Sequence, residues 1–251
     1  MKSFTIADFE RSLDDVGIVA GDTLMVHSAL FVLGKLEVCE LGRMPAVLAK
    51  SLMDFLGPEG TVVVPIYNYE NIEFFKNYRL RQMGALSEYI ADLPQSRRTY
   101  HTIFSVAAVG RLAEDIEGSD ALSAFEENGP FEFLLKNGAK VLLIGTGIGA
   151  ASVIHIAEER VQVPYRYWME FPKETRDPSG KIHKKPYKML VRDLEKYPVL
   201  HLEKVEKWLR EDDLMKVSRI GAATVIACGF KSYVEAVVSR LRQDPESLVR
   251  D

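Results

Sequence analysis

Val141-Leu142-Leu143-Ile144-Gly145-Thr146-Gly147-Ile148-Gly149-Ala150 sets a run of apolar residues against glycines at alternate positions. The apolar run fits a strand buried on both faces. The glycines let the backbone turn sharply and approach a ligand closely. A helix start is expected next, with free N–H groups and the positive end of its dipole. On that helix His155 and Glu158 are three residues apart and share a face, with Cβ atoms roughly 5–6 Å apart. A carboxylate in that place orients an imidazole and raises its basicity, as general base catalysis near neutral pH requires. The residues alone also allow a plain helix-face histidine in a polar contact. They allow a dinucleotide fingerprint as well: Gly145, Gly147 and Ala150 fit Gly-x-Gly-x-x-Gly/Ala, and Glu170 stands where a ribose-binding acid would. A nicotinamide-dependent oxidoreductase and a non-catalytic binding module both stay open at this point.

Outward from this centre, strands alternate with helices. Ile6, Phe9, Leu13 and Val16 have helical spacing after Thr5. Strands are expected over 23–27, 61–66, 102–109, 140–145, 165–171 and 222–227, and helices over 44–55, 131–135, 152–160, 199–209 and 233–241. The aromatic and charged segment at about 67–100 reads as an irregular excursion over one end of the sheet, where function concentrates. Arg176-Asp177-Pro178-Ser179-Gly180 reads as the turn of a flap or hairpin at about 172–190. The fold class is therefore α/β, with a mixed central sheet flanked by helices. One domain over 1–251 is expected.

The composition narrows the function. With 32 basic and 36 acidic side chains the net charge is −4, which lacks the basic excess of a dedicated nucleic-acid binder. No apolar run approaches the roughly 20 residues that span a bilayer. Met1 to Glu10 has no signal-peptide core, so a cytoplasmic location is expected. Cys39 and Cys228 make no disulfide framework. The five histidines are dispersed, with no His-x-x-x-His and no Cys-x-x-Cys, so no metal is expected. His27 and Ser28 end a buried strand, a usual place for ligands, and 29–34 offers backbone N–H groups beyond them. Arg97, Arg98 and His101, with Ser105 beyond, suit a phosphate or a solvated face.

Five blocks in order resemble the aminoglycoside 3-N-acetyltransferase family: Gly21 to Leu30 with Gly34, Gly60 to Pro65, Arg98 to Ser105 with Gly110, Leu142 to Gly147, and His155 to Glu158. The resemblance implies transfer of an acyl group, acetyl expected, from acyl-coenzyme A to the amine of an amino sugar. It makes His155 the catalytic base and Glu158 its partner; from the residues themselves, the Thr146 hydroxyl or the backbone N–H groups of Gly145 to Gly149 are the expected donors to the developing oxyanion. It makes His27, Ser28, Ala29, Leu30, Gly34, Arg98, His101 and Ser105 the coenzyme contacts. Tyr67, Gly149, Tyr165 and Arg166 are the expected acceptor-side residues. The chain departs from the family pattern at Ala29, where a second serine is common, and at Thr102, where a proline is common. It departs also at Gly149, where antibiotic-modifying members tend to carry aspartate. Val163 to Tyr167 looks nearer to relatives that serve polysaccharide synthesis, and Lys181, Lys184, Lys185 and Lys188 suit a nucleotide diphosphate. The expectation is therefore a nucleotide-linked deoxyamino sugar as acceptor, with an aminoglycoside as the alternative. The aromatic excursion offers a surface for a homodimer.

Overall fold

Thr5 caps the first helix through a reciprocal pair: its hydroxyl accepts from the Asp8 N–H, and the Asp8 carboxylate accepts from the Thr5 N–H. In the computed structural model the elements then run β1 (Ser3–Phe4), α1 (Ile6–Asp15), β2 (Thr23–Ser28), β3 (Lys35–Leu36), α2 (Met44–Leu56), β4 (Thr61–Pro65), α3 (Ala85–Ala91), β5 (Arg97–Arg98) and β6 (Val106–Gly110). They continue with α4 (Ala113–Gly118), α5 (Pro130–Lys136), β7 (Lys140–Ile144), α6 (Ile154–Val161), β8 (Arg166–Arg176), β9 (Ile182–Arg192), α7 (Glu203–Glu211), β10 (Met215–Ile220), β11 (Ala223–Gly229) and α8 (Phe230–Gln243). The structure describes residues 2–37, 39–40, 42–67, 83–101, 103–176 and 182–250, and for 172–176, 183 and 184 the backbone alone.

Seven strands form the central sheet in the order β10-β11-β7-β2-β4-β6-β5. β7, β2 and β4 are parallel at its middle, and β11 and β6 flank them antiparallel. The sheet is mixed, as expected. Successive side chains point to opposite faces, so each central strand feeds two cores. Met25, Val63, Val141 and Leu143 pack with α5, α6 and α8 through Phe131, Ile156 and Val234. Leu24, Val26, Val62 and Leu142 pack with α1 and α2 through Phe9, Leu13, Leu48 and Leu52. The neighbours β2 and β7 therefore send their chains to opposite faces, β2 into α2 and β7 into α6. Where adjacent parallel strands diverge in this way, a crevice opens beyond their carboxyl ends.

Several expected elements fall elsewhere. The strand expected over 102–109 starts at Val106, because the Ile103 and Phe104 N–H groups ahead of it donate to the His101 ring; Thr102 lies outside the described residues. The strand expected over 165–171 lies outside the central sheet. It opens the β8–β9 hairpin, which is longer than the flap expected at about 172–190 and pairs Arg166 with Arg192 at its base. Of the irregular excursion, 68–82 lies outside the described residues, while α3 and β5 occupy regular positions beyond it. No helix among the described residues is long and apolar enough to cross a membrane.

Candidate active site

The carboxyl ends of β2, β4 and β7 open into a cavity of about 390 Å³. That is within the usual range of small-molecule clefts, roughly 300–1,000 Å³. His27 and Ser28 come from β2, Pro65 ends β4 and Tyr67 follows it, and Thr146 and Gly149 follow β7. Ser152, Ile154 and His155 add the start of α6, and Leu200 and Leu202 close a wall ahead of α7.

The turn after β7 is tight. Gly145 has φ +70°, and a Cβ there would sit 2.7 Å from the Ala29 carbonyl oxygen and 2.8 Å from a Val32 methyl. Only glycine fits such a position without strain. The turn does not run straight into the helix: a short 3-10 turn, Ile148–Ala150, comes first, and α6 starts at Ile154 without a capping side chain.

His155 Nδ1 donates to Glu158 Oε2 at 2.6 Å. The carboxylate thereby fixes the proton on Nδ1 and leaves Nε2 with the lone pair of the neutral ring. The His155 side chain is 19% exposed, and the Glu158 side chain is wholly buried. Tyr165 Oη donates to Glu158 Oε1 at 3.0 Å, and Arg166 Nε forms an ion pair with the same oxygen at 2.8 Å. Burial alone would push the Glu158 pKa up, but the Arg166 guanidinium and the His155 ring hold it below the usual carboxylate range. Phe104 and Phe125 flank the imidazole, with ring centroids 5.2 Å and 5.0 Å away.

His155, Thr146, Tyr67, Gly149 and Arg166 all line the cavity. Tyr165 does not reach it; the ring is buried and serves Glu158 from behind. The Arg166 side chain is only 7% exposed, and its guanidinium is committed to Glu158 and to the Leu190 carbonyl. Of the expected coenzyme contacts, His27 and Ser28 line the cavity. His27 Nε2 and Ser28 Oγ are buried without a partner among the described residues, and burial pushes the His27 pKa down to about 4. The other expected contacts do not line it. Ala29 and Leu30 are used in turn structure: the Ala29 N–H donates to the Ile144 carbonyl, and Leu30 is buried under the loop. Gly34, at φ +105°, is required by the Lys2 carbonyl oxygen, 2.2 Å from where a Cβ would stand. Arg98 lies on β5 at the outer edge of the sheet. Ser105 is buried just ahead of β6, and its carbonyl accepts from the Ile66 N–H. His101 is buried, with both ring nitrogens facing backbone groups.

Phe104, Phe125, Leu200 and Leu202 carry no local sign of their place at the site, since each arrives from a distant segment. The basic stretch is also placed differently from expectation. Lys185 pairs with Asp120, and Lys188 pairs with Glu126 while lying over the Trp168 ring. Lys181 lies outside the described residues, and the Lys184 side chain is not described. The dinucleotide fingerprint also fails, because its glycines lead into a 3-10 turn and Glu170 is carried out on the hairpin opposite Lys188. Among the described residues no group of three or more His, Cys, Asp or Glu could hold a metal ion.

Comparison with known proteins gives one consistent answer. The family model described as aminoglycoside 3-N-acetyltransferase matches residues 25–242. An aminoglycoside N(3)-acetyltransferase III of Salmonella sp is 30% identical over 193 residues, 66% of this chain and 65% of that protein. The chain thus spans just under two thirds of that relative's length. An aminoglycoside N(3)-acetyltransferase IV of Salmonella sp is 28% identical over 244 residues, 95% of this chain and 88% of that protein. Among solved structures, a histidine-to-alanine mutant of aminoglycoside acetyltransferase AAC(3)-IVa in complex with gentamicin superposes with a TM-score of 0.82 at 25% identity, covering 100% of this chain and 93% of that one. These relatives overturn the expectation of a nucleotide-linked polysaccharide sugar as acceptor: they are aminoglycoside acetyltransferases, and Lys185 and Lys188, two of the lysines expected to hold a diphosphate, are paired within the chain.

Proposed function

Because the chain belongs to the aminoglycoside 3-N-acetyltransferase family, we propose that it moves the acetyl group of acetyl-coenzyme A onto a primary amine of an aminoglycoside. It would act as one acyltransferase domain over 1–251, in the cytoplasm where that thioester is made, and thereby confer antibiotic resistance. The observation that carries this reading is the His155–Glu158 pair, 2.6 Å apart, on the wall of a cavity at the carboxyl ends of parallel strands.

An amine bound as its ammonium form has no lone pair to attack a carbonyl. The ammonium therefore gives one proton to solvent to become the neutral amine, and His155 Nε2 takes a second as the N–C bond forms and the thioester C–S bond breaks. The leaving thiolate recovers the proton from the imidazolium, so the imidazole is restored. Glu158, braced by Tyr165 and Arg166, holds the ring in the correct tautomer and offsets its positive charge. Thr146 and Gly149 line the same cavity, and the Thr146 hydroxyl would face the acyl oxygen. One such donor is typically worth about 100–1,000-fold in rate. His27 Nε2 and Ser28 Oγ, without partners among the described residues, fit a donor that brings its own hydrogen-bonding groups. No cysteine lines the described cavity, and burial pushes the Cys228 thiol up to about 12, so direct transfer is favoured over an acyl-enzyme.

The test is release of free thiol from acetyl-coenzyme A against a panel of aminoglycosides and nucleotide-linked amino sugars. Acceptor-dependent release with aminoglycosides supports the proposal; release with none of them refutes it.

A further inference from the structure

His101 is 4% exposed and lies outside the cavity lining. Its Nδ1 accepts two backbone N–H groups, from Ile103 at 3.2 Å and Phe104 at 3.0 Å. Two donors on Nδ1 leave the ring proton on Nε2. That nitrogen faces the Leu122 carbonyl oxygen at 3.3 Å. One imidazole therefore ties together two segments distant in sequence. The first carries Phe104. The second runs from Leu122 to Phe125, where Ser123 Oγ accepts the Phe125 N–H at 3.2 Å and donates to Glu159 on α6. Phe104 and Phe125 meet each other edge to face at 4.8 Å, and both pack on the His155 ring. The Tyr187 ring, 4.8 Å away, backs His101 from the hairpin.

We propose that His101 is a positioning residue for the catalytic imidazole: by hydrogen-bonding both segments, it holds Phe104 and Phe125 against His155. The proposal rests on His155 being the base. It replaces the coenzyme contact that resemblance assigned to His101, since both ring nitrogens are already engaged inside the protein. Burial also drives the His101 pKa down to about 4, so the ring stays neutral and keeps its Nδ1 acceptor over the working pH range.

Three variants separate the two sides of the ring. In His101→Asn the side-chain oxygen can stand near Nδ1 and accept from Ile103 and Phe104. In His101→Gln the amide can reach Leu122, but no acceptor remains for those N–H groups. His101→Ala loses both. Each is purified folded, and two readouts are taken. The first is steady-state kinetics by thiol release. The second is the ring-current shift of the His155 ring protons in NMR spectra, assigned by their loss in His155→Ala. The proposal predicts that turnover in His101→Ala falls about 10–100-fold while KM for acetyl-coenzyme A stays within about 2-fold, the scale of a misplaced catalytic group. His101→Asn keeps the bonds to the Phe104 segment and His101→Gln the bond to Leu122, so each recovers part of the turnover and of the ring-current shift that His101→Ala loses. Unchanged His155 resonances in folded His101→Gln or His101→Ala overturn the proposal, and so does a loss confined to KM for the donor. The NMR arm needs no turnover. An inactive wild type would therefore refute the acetyl-transfer reading and leave this inference separately decided. Should His101→Ala fail to fold, the Asn and Gln pair decides it.

Discussion

Glu158 is a carboxylate with no exposed surface, held by hydrogen bonds from His155 and Tyr165 and by the Arg166 ion pair. Its partner Arg166 has a side chain only 7% exposed, so removing the negative charge strands a buried cation. Breaking such a pair typically costs about 3–5 kcal/mol. Glu158→Gln should lower the melting temperature and cut turnover by about 100-fold or more, because the amide cannot offset the imidazolium. Tyr165→Phe removes one neutral donor from the same carboxylate. It should cost about 1 kcal/mol of stability, read by denaturant unfolding, and lower turnover by less than about 10-fold. The contrast between these residues explains what was legible in the sequence. His155 and Glu158 could be paired from their spacing alone, since residues three apart on a helix must be neighbours. Tyr165 and Arg166 reach Glu158 only because the chain reverses after α6 and brings the base of the hairpin back against it. That is a fact of packing, and their composition suggested substrate contacts instead.

At the scale of elements, buried strands were legible and edges were not. Val141 to Ile144 is apolar throughout because β7 is covered on both faces. β10 went unread because it is the outermost strand: Lys216, Val217 and Arg219 face solvent, and the alternation is lost. Its neighbour β11 was found from its β-branched core. The turn after β7 was legible in its glycines, yet they do different jobs. Gly145 is demanded by its positive φ and by the Ala29 carbonyl, whereas a Cβ at Gly147 would meet nothing within 4 Å. Gly145→Ala should therefore destabilise the fold by about 2 kcal/mol or more and disturb the cavity wall, while Gly147→Ala is tolerated far better. Thermal unfolding of the two variants checks this, and equal effects would show that the turn is less constrained than its geometry states.

Across the whole molecule, buried titratable groups set opposing dependences of stability on pH. Burial holds His27 and His101 at about 4, below the ordinary histidine value. The folded chain binds their protons less readily than the unfolded chain. They favour folding above the ordinary histidine range, and that contribution is lost as pH falls toward 4. Glu159 acts the other way. Burial pushes it up to about 7, so its contribution is present at low pH and lost as pH rises from the ordinary carboxylate range through 7. Glu159→Gln should raise the melting temperature at pH 8 and change it little at pH 5; an equal change at both would remove Glu159 from this role. None of this bears on turnover as directly as the base itself. The decisive measurement is thiol release from acetyl-coenzyme A with an aminoglycoside acceptor, made on wild type and on His155→Ala, with donor binding measured on the same samples. The account predicts a loss of about 100-fold or more with donor affinity kept. Near-wild-type turnover from His155→Ala would contradict it.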